Sequence, residues 1–209
     1  MKLLIAIPTL DFQHSAFVEC LINLIERLND EGIKHEVKFK SGTLVYIARD
    51  QLASYAIEND FTHILWFDAD MIFNDDILDD LLFCDKDFVA GIFHARRPPH
   101  SSCLFKSLDP IDRYTANEYP SRAFEIAGCG FGCILMTTEL VKAVKEKFVS
   151  CCLPAYALGE DLAFCARVSH LGYKMYAEPT ARVGHIGHIP IYPEDEEGFL
   201  NSIIGVKNA

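Results

Sequence analysis

Two periods of apolar and polar positions interleave along the first 93 residues. Leu3–Ile7 is an unbroken apolar run, as expected of a strand buried on both faces. Phe17, Leu21, Leu24, Ile25 and Leu28 then recur at spacings of three and four. That spacing predicts a helix with Ser15 as its N-cap and Gly32 beyond its end. His35–Lys40 alternates as a strand with Val37 and Phe39 on one face. Ile47–Asn59 is helical again, with Leu52, Ala53, Ala56 and Ile57 inward, and His63–Phe67 is a second apolar strand. Asp75–Cys84 reads as a short helix with two acids in its first turn, where the helix dipole favours them. Phe88–Phe93 is a third buried strand.

Strand and helix thus alternate through this stretch, which predicts an α/β fold with a mostly parallel open sheet and helices on both faces. In such sheets ligands bind beyond the carboxyl ends of the strands. Ala95–Ser121 breaks the rhythm with Pro98, Pro99, Pro110 and Pro120, and is read as a loop-rich excursion with room for a hairpin. Phe124–Ala127 and Cys133–Met136 follow as strands around a Gly128–Gly132 turn. Helices are expected over Thr138–Phe148 and Glu160–Leu171, and short last strands over Lys174–Ala177 and Arg182–His185. The whole chain, 1–209, reads as one domain. Residues 1–93 form a nucleotide-binding half, 94–190 an acceptor and catalytic half, and 191–209 a C-terminal tail.

Charge adds a constraint. The net charge is −11, and it is held in two patches. Residues 68–87 hold eight aspartates and one lysine, and 194–197 read Glu-Asp-Glu-Glu, while the remaining 18 acids and 18 bases balance. A binder of bare DNA or RNA is expected to carry a basic face, so no nucleic-acid partner is expected. Half the residues are hydrophobic, which excludes a disordered chain. No apolar run approaches the roughly 20 residues that span a bilayer, so no integral membrane segment is expected. Met1–Pro8 is too short to be an export signal, so the expected location is the cytoplasm, a host's if the gene is viral. The eight cysteines form no C-x-x-C pair and read mostly as small buried hydrophobes.

Three constellations carry chemistry. In Trp66-Phe67-Asp68-Ala69-Asp70-Met71, two carboxylates leave the end of an apolar strand. At strand spacing they face the same side, and the small Ala69 admits close approach. Such hard oxygen donors suit Mg²⁺ or Mn²⁺ ligating substrate phosphates. In Gly159-Glu160-Asp161, two acids open a helix; they read either as favourable dipole charge or as a general base, its pKa lowered by the helix end. In Gly184-His185-Ile186-Gly187-His188, histidines flanked by glycines could complete a metal site, and His185 is favoured over His188.

With Pro8-Thr9, Ala48-Arg49-Asp50 and Gly128-Cys129-Gly130-Phe131-Gly132, these motifs, in this order, resemble the GT-A-fold glycosyltransferases of the small single-domain kind found in phages, large viruses and bacteria. The resemblance runs from Leu3 to about His188. It implies that Asp70 binds Mn²⁺ or Mg²⁺ directly, that Asp68 reaches the ribose or a metal water, and that His185 completes the coordination. Pro8, Thr9 and Asp11 would line the nucleoside, with Ala69 beside it, and Arg49 would contact the base or diphosphate. Gly130 and Phe131 would lie under the donor sugar or acceptor, and Asp161 of the Glu160-Asp161 pair would be the base. The expected activity is metal-dependent transfer of a sugar from a nucleoside-diphosphate sugar, most often a UDP-sugar, to a hydroxyl of a glycan, protein or lipid-linked acceptor. The chain departs from the family where Asp50 stands in place of the usual Asn.

Three rivals share some of these features. A haloacid-dehalogenase-type phosphatase also uses D-x-D after an apolar strand, but near the chain start; here more than 60 residues precede it. A nucleotidyltransferase needs a Gly-rich basic loop after the first strand, which is missing. A nucleotide-sugar binding module would bind UDP without turnover.

Overall fold

The computed structural model describes residues 1–10 and 12–187. Asp11, His188, the tail 191–209 and its acidic run Glu194–Glu197 lie outside the described residues. The first strand, β1 (Lys2–Pro8), sends Leu3, Ile5 and Ile7 to one face of a sheet and Leu4 and Ala6 to the other. All five are fully buried, which is why the run is apolar without alternation. Helix α1 (Ser15–Asp30) packs Phe17, Leu21, Leu24 and Leu28 against the first face. Its cap residue is His14, so Ser15 is the first helical residue and not the cap.

Strand β2 (Lys34–Lys40) lies at the sheet edge, where Val37 packs on the core but Phe39 stays largely exposed. Helix α2 (Val45–Glu58) starts two residues earlier than its periodicity indicates. The carbonyl of the extended Leu44 accepts from Ile47 and Ala48 and closes the first turn there. Strand β3 (His63–Phe67) is followed by a turn and the two-residue strand β4 (Met71–Ile72). Helix α3 is confined to Ile77–Phe83. Asp75 therefore precedes the helix, Asp76 is its cap, and the acids of the first turn are Asp79 and Asp80. Strand β5 (Phe88–Ile92) is buried throughout.

The proline-containing excursion forms β6 (Leu104–Leu108) and β7 (Ile111–Arg113), a hairpin. It leads through β8 (Phe124–Ile126) to β9 (Gly128–Cys129), which pairs with β6, so the glycine-rich segment begins as strand and not as turn. Strand β10 (Cys133–Thr137) and helices α4 (Thr138–Lys147) and α5 (Glu160–His170) follow. The last strands are β11 (Met175–Arg182) and β12 (Gly184–His185). Two short strands were expected, over Lys174–Ala177 and Arg182–His185, with Pro179 between them. Instead β11 runs through that proline, which lacks a donor N–H, and its register with β5 shifts between Ala177 and Arg182.

The main sheet has the order β2-β1-β3-β10-β5-β11-β8. Strands β2, β1, β3, β5 and β11 run parallel, and β10 and β8 run against them. Residues of α1 and α3 pack on one face and residues of α2, α4 and α5 on the other, as expected of the α/β class. Among the described residues no helix is long and apolar enough to cross a membrane, and all eight cysteines are free thiols, five of them buried.

Gly132, just before β10, has no room for a side chain. A Cβ there would lie 2.5 Å from Met71 Cε and 2.7 Å from Phe93 Cζ. Gly132→Ala should therefore destabilise the fold by about 1–3 kcal/mol through overpacking. Chemical denaturation read against wild type checks this.

Candidate active site

Three chain segments converge beyond the carboxyl ends of β1 and β3. They are Pro8 and Thr9, which end β1 and follow it; the turn Asp68–Asp70; and the start of α5. They enclose a cleft of about 420 Å³ whose walls include Thr9, Arg49, Asp68, Asp70, Glu160 and His185.

The period-two argument does not hold for Asp68 and Asp70. Strand β3 stops at Phe67, and Met71 N–H donates to the Asp68 carbonyl across a turn. The turn, not the pleat, aims the two carboxylates, and it sends them to different partners. Asp68 Oδ1 accepts from Arg49 Nη2 at 2.9 Å, whereas Asp70 Oδ2 lies 3.4 Å from His185 Nε2.

Arg49 is 3 % exposed, far less than a surface arginine. Its guanidinium stacks 4.7 Å over the Phe131 ring, and Nη2 also lies 3.7 Å from Glu160 Oε1. Nε and Nη1 are buried without a hydrogen-bond partner. Burial works against the charge, but Asp68 and the carboxylates of α5 outweigh it and hold the guanidinium pKa above its ordinary value. Phe131 is itself buried and supports Arg49 from below, so the expectation that it lies under a sugar is corrected. Asp50, the departure from the family pattern, points elsewhere. It accepts from Ser150 Oγ and from the N–H groups of Cys151 and Cys152, tying α2 to the segment that leads to α5.

His185 reaches the site through the pairing of β12 with β4, in which His185 stands opposite Met71 and Gly184 opposite Ile72. Ile186 N–H donates to the Asp70 carbonyl at 2.8 Å. His185 Nδ1 lies 2.9 Å from the His94 carbonyl, which can only accept, so Nδ1 carries the proton and Nε2 faces Asp70. The Asp70 contact raises the imidazole pKa, opposed by partial burial. Burial tends to raise the Asp70 pKa, but His185 and Arg96 bring it below the ordinary value. Arg96 Nη1 sits 2.5 Å from Asp70 Oδ2, so a cationic group already occupies that carboxylate. Arg97, the next residue, is not in the cleft wall.

Asp161 sits at the first turn of α5 behind Gly130; a Cβ on Gly130 would lie 3.6 Å from Asp161 Oδ2 and 3.1 Å from Phe93 Cζ. Asp161 Oδ1 accepts from Leu162 N–H at 2.7 Å. A helix start was expected to lower the pKa of this carboxyl. The structure has it raised, chiefly by burial, with Glu160 and Asp68 adding to the effect. Asp68 is likewise raised, by burial first, with Arg49 opposing and Asp70 and Glu160 adding. Three carboxyl groups, those of Asp68, Glu160 and Asp161, thus act on one buried cation.

Among the described residues no group of three or more His, Cys, Asp or Glu side chains is placed to hold a metal ion. Asp70 and His185 form a pair, a carboxylate and an imidazole whose Nε2 faces that carboxylate at 3.4 Å. That donor set suits Mn²⁺ and leaves further coordination positions for ligand oxygens and water. The cation already on Asp70 is a side chain 45 % exposed, which can be displaced without unpacking the core. Asp68 is engaged by Arg49 and stands apart from this pair. The contribution of His94, through its carbonyl, and the two-residue ladder that brings in His185 were not foreseen.

No family model matches the chain, and no curated protein matches it. Solved structures do. Protein A197 from STIV is 15 % identical with a TM-score of 0.57, over 92 % of this chain and 97 % of that one. A Drosophila β-1,4-galactosyltransferase 7 mutant in complex with manganese, UDP-Gal and xylobiose is 12 % identical with a TM-score of 0.52, over 94 % of this chain and 79 % of that one. At these identities the likeness shows the fold: the chain has a GT-A-like α/β fold.

The raised Asp161 pKa has a consequence for stability. Its neutral form is favoured on folding, so its contribution is fully present below the ordinary value of 3.8 and is lost as pH rises through the higher folded value. Asp161→Asn, always neutral and able to keep the Leu162 bond, should melt at a higher temperature than wild type at neutral pH. The gap should close below pH 3.8. Thermal unfolding followed across pH reads this out.

Proposed function

We propose that the protein is a metal-dependent glycosyltransferase that moves a sugar from a nucleoside-diphosphate sugar, a UDP-sugar by preference, to an acceptor hydroxyl. The observation that carries the proposal is the Asp70–His185 pair at a cleft whose opposite wall holds Arg49 with two unpartnered buried donors. Such donors are costly unless a ligand meets them, and an anionic diphosphate or a pyrimidine carbonyl would do so. The manganese and UDP-Gal bound to the galactosyltransferase of similar fold support the same reading.

Asp70 and His185 would hold Mn²⁺, or Mg²⁺ less well. The ion when bound supplies positive charge for a diphosphate leaving group. Pro8 and Thr9, with Asp11 outside the described residues, would border the nucleoside, with Ala69 leaving room beside it. Asp68 would accept from the ribose with the oxygen that Arg49 leaves free. Asp161 would take the proton of the acceptor hydroxyl: its raised pKa makes it a stronger base than a surface aspartate, and Glu160 beside it keeps it so. Residues 1–93 would then serve the nucleotide and 94–190 the acceptor, within one domain. A phosphatase would need Asp68 as its nucleophile, and one of its oxygens is held by Arg49.

Calorimetry should show UDP binding strengthened by Mn²⁺. Asp70→Ala should abolish that strengthening while the fold persists, and equal binding with and without metal would overturn the reading. Asp161→Asn should leave UDP affinity within about twofold and lower the transfer rate about 10²–10⁴-fold, the usual contribution of a general base. A donor screen by thermal shift with UDP-, GDP- and dTDP-sugars identifies the nucleotide.

A further inference from the structure

A second cavity, of about 720 Å³, lies on the other side of Arg96 and His185, which form walls of both spaces. Its chemistry is the reverse of the first. The cleft holds Asp68, Asp70 and Glu160, whereas among the described residues no carboxylate lines the second cavity. The polar side chains there are Arg96, Arg182, His94, His100, His185 and Tyr119. In a chain of net charge −11, a wall that among the described residues carries two guanidinium groups and no acid is a marked departure from the average.

The wall is built rather than incidental. His94 Nδ1 donates to the His100 carbonyl at 2.7 Å, and His100 Nδ1 donates to the Ala95 carbonyl at 3.0 Å. His100 holds a positive φ of 55°, which the closed 95–101 loop imposes. Tyr119 O–H bridges His94 Nε2 and Ser102 Oγ. Arg182, at the end of β11, makes no ion pair among the described residues, although most of the other cations near carboxylates do. The Phe93 ring borders the cavity and also packs beside Gly130, the neighbour of Asp161.

Resting on the glycosyltransferase reading, we propose that this cavity receives an oxyanion, a phosphate or a carboxylate, carried by the acceptor, with Arg182 as its cationic partner. A neutral acceptor would leave the Arg182 guanidinium, which has no ion-pair partner among the described residues, without counter-charge; Arg96 is already paired with Asp70. An acidic acceptor pairs with Arg182 and places its uncharged part towards Phe93, Gly130 and Asp161. Discrimination of acidic from neutral acceptors would then lie in Arg182, apart from the residues that hold the nucleotide.

The test titrates the full chain, free of metal and nucleotide, with inorganic phosphate, glucose 6-phosphate, glucuronate, phosphatidate vesicles and neutral glucose. It follows the backbone amides of Gly184 and Gly187 against that of Thr9. Saturable shifts at the glycines with at least one anionic probe and not with glucose are expected, weakened about tenfold in Arg182→Gln and largely restored in Arg182→Lys. The pattern across the soluble sugars and the vesicles tells a soluble acidic acceptor from a lipid phosphate. Equal response to glucose, shifts at Thr9 alone, or no loss in Arg182→Gln would overturn the proposal. UDP binding with Mn²⁺ is measured on the same variants and should change less than twofold. If UDP fails to bind wild type while the anion response persists, the transferase reading falls and the cavity remains an anion site. If UDP binds and the anions do not, the cavity proposal alone falls.

Discussion

A buried guanidinium organises this molecule's working end. Arg49 projects from α2, stacks on Phe131 from the β9–β10 segment, donates to Asp68 beyond the end of β3 and approaches Glu160 at the start of α5. A charge withdrawn from water this far costs several kcal/mol unless it is paired, and removing its partner would leave that cost uncompensated. The four segments are therefore constrained together: none can move without exposing or orphaning the guanidinium. Asp50, one residue along α2, reinforces the arrangement by holding residues 150–152, and so fixes the approach to α5. Two adjacent residues of one helix thus set the position of the opposite wall of the cleft.

The pairing also explains why the site is electrically unbalanced. Arg49 neutralises one carboxylate at most, while Asp68, Glu160 and Asp161 all act on it and Asp70 lines the same cleft, and two of these four have raised pKa values. Arg96 supplies a partial remedy at Asp70 from the solvent side. An anion the size of a diphosphate would meet net repulsion here unless a divalent ion came with it. The acidic stretch 68–87 therefore splits in physical role. Its first two aspartates line the cleft, whereas Asp79 and Asp80 are first-turn charge on α3.

Much of this was legible from residue order. The strands and helices of the α/β sheet were readable because buried strands carry continuous apolar runs and the helices carry a three-to-four spacing. Asp68, Asp70, Arg49, Glu160 and His185 were each singled out, and the structure brings them to one cleft. What the pattern misjudged was local geometry. The aspartates were placed on a pleat although the chain turns after Phe67, and Phe131 was given a ligand-facing role although its ring lies beneath Arg49. The Asp161 pKa was expected to fall at a helix end, yet burial prevails, and burial is a property of tertiary packing that no spacing reveals. Strands of two residues, such as β4 and β12, carry no periodicity at all.

The two halves of the site consequently differ in firmness. The Arg49 half rests on a buried core and on hydrogen bonds to α2. The His185 half rests on a two-residue ladder, one Ile186-to-Asp70 bond and the His94 carbonyl, beside a largely exposed Ile72. Local opening free energy follows the buried contacts and backbone bonds that must be broken, so the His185 side opens first. That division would suit the proposed function, in which the site admits a cation and a nucleotide together. The firm wall keeps its unpartnered donors in register for the incoming ligand, while the side that holds His185 can yield to let it in. Ligand bound between the two would then add the contacts that the short ladder lacks, so occupancy and ordering of the C-terminal strands are expected to rise together.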